Sequence, residues 1–449
     1  MPSPAQGRMK IAVVGTGIAG LSAAWLLQSR HDVTVYEKNR RVGGHSNTVS
    51  VRLAGADIRV DTGFIVYNPV TYANFVELLR VLDVESQDTD MSFSVSLKGG
   101  TIEYSGSGLA GLFSQRSNLV RPRFLGMLID LVRFYRRATR DARNPSNGDK
   151  TLGEYLAEGR YGATFRDHHI LPMASAIWSA APAEILGYPA TAFLRFHDNH
   201  GLLRLTGRPI WRTVVGGSRE YVARLAEPLA GRIRAGAGAA LIERIGGRVI
   251  VTDGRGERDV FDRVVVATHA DEALALLADP SPRERVVLSA FRYSRNNAWL
   301  HGDETFMPRR RAAWASWNYV SDSEAPRGVC VTYWMNSLQR LPIRRNVFVT
   351  LNPQRPPRSA LGIESYDHPI FDAAAIRAQK ELWSLQGAGG VWFCGAHFGA
   401  GFHEDGLQAG LAVAEQIGGV RRPWRIANES SRIVVAGEKA SSPALDEAA

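Results

Sequence analysis

A glycine-rich turn between two apolar strands constrains the fold of this chain more than any other feature. From Lys10 to Glu37 the sequence reads as a strand, a turn, a helix, a second strand and an acid. Gly15, Gly17 and Gly20 have the spacing G-x-G-x-x-G. In this motif the first glycine permits a tight turn, the second lets the backbone approach a pyrophosphate, and the third lets the helix pack closely on the strand. The segment predicts a Rossmann-type unit in an α/β fold.

The acid at the end of the second strand extends this motif to a ligand. Glu37 follows the strand 33–36 and lies 17 residues after Gly20. A carboxylate near this position accepts hydrogen bonds from ribose hydroxyls and repels a 2′-phosphate. Phosphates at the helix N-terminus meet free N–H groups and the favourable end of the helix dipole. We therefore expect a bound dinucleotide, and these residues alone leave NAD and FAD both open. The alternative is a glycine-rich turn in an ordinary α/β unit.

The composition excludes several classes of protein. The 449 residues have room for two domains. The net charge of +10 comes almost entirely from arginine, a bias that a GC-rich genome can produce, and we expect no nucleic-acid partner. Cys330 and Cys394 lie in apolar runs, which indicates neither a disulfide framework nor a metal site and fits a reducing cytoplasm. No apolar run reaches the roughly 18 residues of a spanning helix, and residues 1–8 lack a signal-peptide pattern.

Further glycine-rich pieces follow downstream in a fixed order. In that order the chain resembles the amine-oxidase-like flavoproteins, which include monoamine oxidases, protoporphyrinogen oxidase and carotenoid desaturases. The resemblance covers nearly the whole chain and implies FAD, bound by a Rossmann-type domain that is interleaved with an α+β substrate domain. The pieces are Arg41-Val42-Gly43-Gly44, Asp61-Thr62-Gly63, Gly216-Gly217-Ser218, the strand pattern 262–268 and Phe393-Cys394-Gly395.

The resemblance also assigns roles to residues. It implies that Glu37 holds the adenosine ribose, that residues 41–44 line the pyrophosphate and ribityl region, and that segment 395–407 places N–H groups near the flavin. One departure is that Ala396 follows Gly395 where these flavoproteins usually carry an acid; Glu404 or Asp405 substitutes for it, or the contact is absent. The residues expected to bind FAD are Gly15, Gly17, Ile18, Ala19, Gly20, Glu37, Lys38, Arg41, Gly43, Gly44, His45, Gly63, Gly395, Ala396, Gly406 and Leu407.

The pattern of elements predicts how the two domains alternate along the chain. The tail, rich in Ser, Ala and Glu, is expected to be disordered. A helix is expected from Leu407 to Ile417. The predicted segments are 9–67, 211–285 and 386–420 for the FAD domain, 68–210 (mostly helical) and 286–385 (an aromatic-rich sheet) for the substrate domain, and 421–449 for the tail.

Several stretches resemble a bacterial subgroup whose members are often encoded beside cyclopropane-fatty-acid-synthase-like methyltransferases. Among them are Asn199-His200-Gly201, Thr268-His269-Ala270-Asp271, WASWNY at 314–319 and His368-Pro369-Ile370-Phe371. The resemblance implies a lipid acyl substrate and a methyltransferase as a possible partner. The aromatic strands of 290–352 are expected either to wall an apolar cavity over the flavin or to form ordinary sheet core.

Residues 121–140 predict a basic amphipathic helix. Apolar residues recur at helical spacing, and six arginines crowd the ends and the polar face. Such a helix can lie on an anionic membrane surface, which would place the protein at the inner face of the membrane. The alternative is a core helix with a solvated arginine face.

The function predicted from these features is FAD-dependent oxidation of an apolar lipid, as desaturation or isomerisation of an unsaturated or methyl-branched acyl chain. His200 and His397 are the candidate general bases, and each can equally be a hydrogen-bonded structural histidine. No histidine pair has a carboxylate or cysteine at metal-ligand spacing, so we expect no metal. One alternative is an amine oxidase, but those enzymes usually have a lysine near flavin N5, and here only Lys98 and Lys380 are remote candidates. Another is a flavin- or lipid-binding partner of a methyltransferase without turnover.

Overall fold

A computed structural model describes residues 7–53, 55–142, 150–204, 206–323, 329–427 and 429–435. Two large sheets organise these residues. The strands are β1 (Lys10–Val14), β2 (Asp32–Glu37), β3 (Thr48–Leu53), β4 (Ala56–Asp61), β5 (Ser86–Thr89), β6 (Phe93–Leu97), β7 (Ile102–Ser105), β8 (Trp211–Val214), β9 (Ile233–Ala235), β10 (Ala239–Ile245), β11 (Arg248–Asp253), β12 (Arg258–Phe261), β13 (Arg263–Val266), β14 (Arg292–His301), β15 (Trp317–Val320), β16 (Val331–Trp334), β17 (Phe348–Leu351), β18 (Ala360–Ile370) and β19 (Val391–Phe393).

The helices are concentrated between residues 108 and 199, as the sequence predicts. They are α1 (Ile18–Leu27), α2 (Ala73–Val81), α3 (Gly108–Leu112), α4 (Pro122–Asp141), α5 (Leu152–Glu158), α6 (Ala163–Phe165), α7 (Leu171–Trp178), α8 (Pro182–Leu186), α9 (Ala190–Asn199), α10 (Arg219–Ala226), α11 (Ala270–Leu276), α12 (Pro282–Leu288), α13 (Met335–Leu338), α14 (Ala373–Leu382) and α15 (His403–Ile417). Short 3-10 turns include Arg116–Val120 and Ala396–Phe398, and a π-helical turn, Arg166–Ile170, joins α6 to α7.

The first sheet is parallel, with the order β19-β13-β1-β2-β9. Its central strand β1 pairs with β2 on one side and β13 on the other. Residues 11–13 are fully buried because layers cover both faces of a parallel sheet. α1 and α15 pack closely, since a Cβ at Gly410 would lie 2.2 Å from the carbonyl oxygen of Ala19. The Rossmann-type α/β arrangement predicted from the glycine turn is confirmed.

The second sheet has seven strands in the order β18-β14-β17-β16-β15-β6-β7. Neighbouring strands are antiparallel, except that β15 runs parallel to β6. β6 and β7 form a hairpin, and β14 to β17 come from the aromatic stretch 290–352. β10, β11 and β12 form a separate three-stranded sheet, while β3–β4 and β5–β8 are two-stranded.

The prediction of a disordered tail is wrong for the part of it that the structure describes. Trp424 is 5% exposed, stacks on Trp25 at 6.4 Å, and donates its indole N–H to Asn74. Arg422 is 2% exposed and binds the carboxylate of Glu415. Composition alone missed these apolar and ion-pair contacts; residues 428 and 436–449 lie outside the described part.

α15 begins four residues earlier than predicted, at His403. The side chain of Asp405 accepts from the N–H of Phe402 and so caps the first turn. Among the described residues, no helix is long and apolar enough to cross a membrane.

Candidate functional site

The glycine turn between β1 and α1 has the geometry that the motif predicts. Gly15 has a φ of +103°, which favours glycine, and its N–H donates to the carbonyl of Tyr36 at 2.8 Å. A Cβ at Gly20 would lie 2.0 Å from the carbonyl oxygen of Gly15, so this position requires close helix–strand packing. A Cβ at Gly17 would meet nothing within 4 Å. No protein atom therefore prevents a side chain at position 17, which borders open space.

The N-terminus of α1 offers unfilled hydrogen-bond donors beside that space. Gly17 is the N-cap residue and supplies no side chain to accept from the first turn. The first N–H groups of a helix, here including those of Ile18 and Ala19, have no partner within the helix. A helix start with free donors and no acidic side chain is suited to a phosphate.

Glu37 binds the glycine turn and can still accept a hydrogen bond from a ligand. It is 5% exposed and accepts from the N–H and hydroxyl of Thr16 and from the N–H of Asn39. A carboxylate has about four lone-pair sites, so these three donors leave room for a ribose hydroxyl. The neighbouring Lys38 is mostly exposed and pairs with Glu272 instead.

The loop after β2 lies directly against the glycine turn. The N–H of Gly43 donates to the carbonyl of Thr16 at 3.1 Å, and a Cβ at Gly44 would lie 3.0 Å from Cα of Gly17. Arg41 donates to the carbonyls of Gly44, at 2.9 Å, and Ser46, at 3.3 Å. This arginine therefore braces the loop.

The last glycine-rich segment closes the same region from the other side. A Cβ at Gly406 would lie 3.1 Å from Cγ2 of Ile18 and 3.6 Å from the backbone nitrogen of Ala396. Leu407 is fully buried in the core behind it. A Cβ at Gly395 would lie 2.6 Å from Cε1 of His397, so a side chain there would displace that ring. The start of α1 thus meets the turn before α15.

Neither acid near Ala396 replaces the missing one. Glu404 is fully buried and accepts from the backbone N–H groups of Asn74 and Phe75, at 3.0 Å each, and from Gln408 at 2.9 Å. It therefore caps α2, and burial raises its pKa above the usual range. Asp405 is occupied by Arg432 and the N–H of Phe402.

Two other sequence motifs meet beside this region. Ser218, of the Gly-Gly-Ser segment, donates through its N–H and hydroxyl to Asp61, at 3.0 and 2.8 Å. Thr48 and Gln339 donate to the same carboxylate. Burial raises the pKa of Asp61 to about 6 despite these donors. Gly63 lies two residues after Asp61 and is tightly packed. A Cβ there would lie 2.2 Å from the carbonyl oxygen of His45.

A cluster of rings covers these loops. The ring of His45 lies 4.9 Å from Tyr366, 5.5 Å from His368 and 6.1 Å from His269. Burial and the neighbouring histidines hold the pKa of His45 well below its ordinary value. We call the following residues the ring cluster: His45, Phe64, Phe196, His200, His269, Tyr366, His368, Phe402 and His403. In the described part of the chain, no group of three or more His, Cys, Asp or Glu side chains can hold a metal ion.

Sequence reasoning assigned no role to seven of the nine members of the ring cluster. Tyr366 donates to or accepts from Thr62 at 2.7 Å and accepts from Asn47 at 3.0 Å, which ties the large sheet to the FAD segment. His403 stacks on Phe64 at 3.8 Å. The position of His269 in the sequence could have indicated a role for it, because it follows the end of a strand in the parallel sheet, where ligands bind. The members without a predicted role are Phe64, Phe196, His269, Tyr366, His368, Phe402 and His403.

His200 and His397, the candidate general bases, lie in different surroundings. His200 stacks on Phe196 at 4.0 Å, and its Nδ1 donates to the carbonyl of that residue at 2.9 Å. His397 packs edge-on against Phe291 at 5.3 Å. Burial lowers the pKa of each to about 3. A base with so low a pKa accepts a proton weakly at neutral pH, which favours the structural interpretation for both.

The aromatic residues of the large sheet divide between its two faces. Side chains alternate along a strand, and Tyr333 is opposed to Trp317 across β15 and β16. The pairings place Trp317, Tyr319 and Tyr333 on the face that carries Tyr366 and His368. The opposite face carries Trp299, Trp334 and Phe348, on which Trp314 packs. The expectation of an aromatic wall is therefore limited to three of the seven residues.

Comparison with known proteins identifies the family. The family model described as flavin-containing amine oxidoreductase matches residues 18–335, which is more than half of the chain. The chain belongs to this family. The fold agrees with the one predicted from the glycine turn, and membership in this flavin-containing family confirms FAD, the cofactor that the resemblance implies.

Curated and solved relatives agree on the fold and differ in what they act on. AofH of Mycobacterium tuberculosis, named as a flavin-containing monoamine oxidase, is 28% identical over 284 residues, which cover 60% of this chain and 59% of that protein. The match thus spans about three fifths of that relative's length. A putrescine oxidase bound to putrescine has a TM-score of 0.65 at 14% identity, covering 91% of this chain and 99% of that one. A fatty acid isomerase of P. acnes that produces CLA has a TM-score of 0.65 at 15% identity, covering 91% and 98%.

The residues present fit FAD. The open face of Gly17 and the free donors of α1 suit the pyrophosphate, and Glu37 keeps capacity for the ribose. Gly43, Gly44, Ala396 and Gly406 come together around the same helix start. These groups would hold the cofactor, and the ring cluster covers the same loops with side chains that include Phe196 of α9, His200 directly after that helix, and Tyr366 and His368 of β18.

Proposed function

We propose that this oxidoreductase acts on an apolar lipid, an unsaturated or methyl-branched fatty acyl chain, and desaturates or isomerises it. The observation that carries this proposal is the composition of the ring cluster. Its histidines 200, 368 and 403 have pKa values lowered to about 3 or 4 by burial, so they are neutral at physiological pH. The histidine rings on the substrate side of the site therefore carry no charge.

The buried carboxylates near the ring cluster support a neutral substrate over a cationic one. An ammonium group needs an acceptor that the protein has not already filled. Asp61 receives hydrogen bonds from three residues, Glu404 from three, and Asp405 from Arg432 and a backbone N–H. Burial of an ammonium without a free carboxylate is unfavourable.

The positions of the lysines point the same way. Lys10, Lys38 and Lys380 are exposed, while Lys98 and Lys150 are partly so. Lys98 lies at the hairpin turn between β6 and β7, and Lys380 in the last turn of α14. In the described part of the chain, no lysine is buried near the glycine-rich loops. The lysine that amine oxidases usually have near flavin N5 therefore has no counterpart there.

Two buried donors on the sheet face can bind the polar end of a lipid. Among the described residues, the indole N–H of Trp317 and the hydroxyl of Tyr319 have no hydrogen-bond partner. A buried donor without a partner is costly, and a ligand oxygen would satisfy it. An ester oxygen, or the oxygen of a protonated carboxyl group, supplies the required acceptor without burying an unpaired charge.

The chain's own residues orient the substrate and exclude water. FAD, when bound, would supply the acceptor for a hydride from the acyl chain; desaturation would also release a proton from the neighbouring carbon to solvent and pass two electrons to oxygen or another acceptor, whereas isomerisation would return the hydride at another carbon and need no external acceptor. The aromatic face of β15 and β16 packs along the acyl chain of the substrate. The ring cluster closes the site from the side of the helices. Residues 317 and 319 would fix which carbon is presented.

An amine substrate is the second candidate, and the relatives favour it. AofH is named as a monoamine oxidase, and the putrescine oxidase shares the fold. A primary amine that is deprotonated on binding would also suit a neutral site. The two candidates therefore need a direct comparison.

The test is an incubation of the purified, FAD-loaded protein with linoleic acid, oleic acid, putrescine or cyclohexylamine, followed by mass spectrometry of each product. We expect an altered double bond in a fatty acid and no aldehyde from either amine. Tyr319→Phe should raise KM for the fatty acid several-fold and leave flavin content unchanged. Oxidation of an amine with no change in either fatty acid would contradict the proposal.

A further inference from the structure

An aliphatic patch covers the outer side of the helical layer. Five of the fifteen strongly exposed large aliphatic side chains in the described chain lie within residues 109–129. Phe113, just after α3, contacts Phe124 on α4 at 6.2 Å, so the elements that carry them adjoin. The patch consists of Leu109 (75% exposed), Leu119 (53%), Val120 (79%), Leu125 (39%) and Ile129 (69%).

Arginines surround the aliphatic patch. Residues 107–142 contain seven arginines and two aspartates, a net charge of +5. Both aspartates are paired, Asp130 with Arg133 and Asp141 with Arg137, each at 2.8 Å. Within the described part of the chain, no hydrogen bond or ion pair engages the side chains of the other exposed members Arg116, Arg123 and Arg136. Their guanidinium groups are available to an external anion.

The opposite face of α4 explains why the patch is not ordinary core. Phe124, Met127 and Phe134 are buried beneath the helix. A core helix with a solvated polar face would carry only polar side chains outward. Here Leu125 and Ile129 face outward among the arginines, and the groove beside them is lined by Leu128, Val132 and the arginines of the last two turns.

We propose that the aliphatic patch and its arginines dock the protein on an anionic lipid bilayer. Aliphatic side chains enter the headgroup boundary while guanidinium groups bind lipid phosphates, often in a bidentate way. Positive charge near an anionic surface contributes about 1 kcal/mol for each basic residue. The exposed aliphatic side chains match the apolar boundary of the bilayer, and the unpaired arginines match its anionic phosphates.

α9 connects the docking surface to the ring cluster. Arg195 on α9 donates to the carbonyl of Ala142 at the end of α4, at 3.0 Å. The next residue, Phe196, stacks on Phe402 at 4.8 Å. α9 therefore lies between the C-terminal end of α4 and the ring cluster, and an acyl chain that leaves the bilayer beside the last turns of α4 would pass this helix. The route of the acyl chain to the ring cluster rests on the proposed lipid substrate, whereas the docking on the bilayer does not.

The test measures co-sedimentation of the full-length, FAD-loaded protein with vesicles of phosphatidylcholine, with and without phosphatidylglycerol. We expect binding to the mixed vesicles that weakens as salt rises. Arg123→Glu with Arg136→Glu should weaken binding at least about tenfold, and Leu119→Glu with Ile129→Glu should do the same. The matched control is Arg285→Glu with Val286→Glu on α12, where both side chains are exposed; it should bind like the wild type.

Equal binding by the wild type, both patch variants and the control would overturn the docking proposal, as would equal binding to both vesicle types. Lack of binding by the wild type would also overturn it and would favour an acidic protein as the occupant. Flavin content and circular dichroism exclude misfolding of a variant. Vesicle binding without any change in fatty acids would leave docking intact and refute the proposed substrate, so the two failures are distinguishable.

Discussion

At the scale of single residues, the three glycines of the turn are not interchangeable. Gly20 is required by the fold, because a Cβ there would lie 2.0 Å from the carbonyl oxygen of Gly15. Gly17 has open space where a Cβ would stand and an ordinary φ of −63°. The protein itself therefore gives no steric reason for a glycine at position 17, and a ligand that approaches the backbone there supplies one.

Gly17→Ala and Gly20→Ala form a matched pair that separates these roles. We expect Gly17→Ala to reduce bound FAD at least tenfold while the melting temperature of the flavin-stripped protein falls by no more than about 2 °C, since alanine at an N-cap costs about 1 kcal/mol and such a loss shifts the melting temperature of a large chain only slightly. Gly20→Ala should lower that melting temperature substantially. Flavin content and thermal unfolding measure both effects. Full FAD binding by Gly17→Ala would contradict the assigned phosphate site.

Buried histidines make the protein sensitive to acid. Burial lowers the pKa of His200, His397 and His403 to about 3, against an unfolded value near 6.5. The unfolded chain then binds protons that the folded chain does not, so stability falls as pH drops below 6.5 towards the folded pKa. Each such group contributes a slope of about 1.4 kcal/mol per pH unit inside that window.

Urea unfolding between pH 7 and 4.5 checks this dependence. The free energy of unfolding should be nearly constant above pH 7 and fall steeply below pH 6. His200→Gln should reduce the slope by about one proton, because Gln does not titrate in this range. A wild-type stability that is flat down to pH 4.5 would show that these histidines are not buried as neutral groups.

At the scale of elements, the segment after α15 fastens that helix to the body of the protein. Arg432 is 17% exposed and pairs with Asp405, which has no exposed side-chain surface. Arg421, only eleven residues earlier, pairs with Glu415 and Glu429 at the surface and is 53% exposed. The first pair holds the turn that lies beside Ala396, and the second does not.

Arg432→Met and Arg421→Met are therefore matched variants. Removal of one partner from a buried ion pair costs about 3 kcal/mol, because a buried charge is left alone, whereas an exposed pair contributes about 0–1 kcal/mol. Chemical denaturation should show the larger loss for Arg432→Met, together with weaker FAD binding. Equal losses for the two variants would mean that the segment does not hold α15.

The sequence predicted elements well where a local pattern carries the information. The glycine spacing, the acid at Glu37 and the apolar strand at 263–266 are short-range signals, and the parallel sheet follows from them. The ring cluster was not predicted because its members come from distant segments and meet only through the tertiary fold. His45 and Tyr366 lie more than 300 positions apart, yet their rings are 4.9 Å apart. The tail was mispredicted because composition does not show that Trp424 has Trp25 to pack against.

At the scale of the whole molecule, three surfaces line up. The glycine-rich loops fit FAD, the ring cluster and one face of the seven-stranded sheet form a lining of rings, and α9 joins this lining to the C-terminal end of α4, the helix that carries Leu125 and Ile129 of the aliphatic patch. A cationic amine would need a free buried carboxylate, and the nearby ones are engaged by the protein. The arrangement is better suited to an acyl chain taken from a bilayer.

The most direct measurement of this account is mass spectrometry of lipids and polyamines from host cells that make the wild-type protein, the Gly17→Ala variant or neither. The account predicts a change in the number or position of acyl double bonds with the wild type alone. Cells with the flavin-deficient variant should match cells without the protein. Unchanged acyl chains together with depleted polyamines would contradict the account and establish an amine as the substrate.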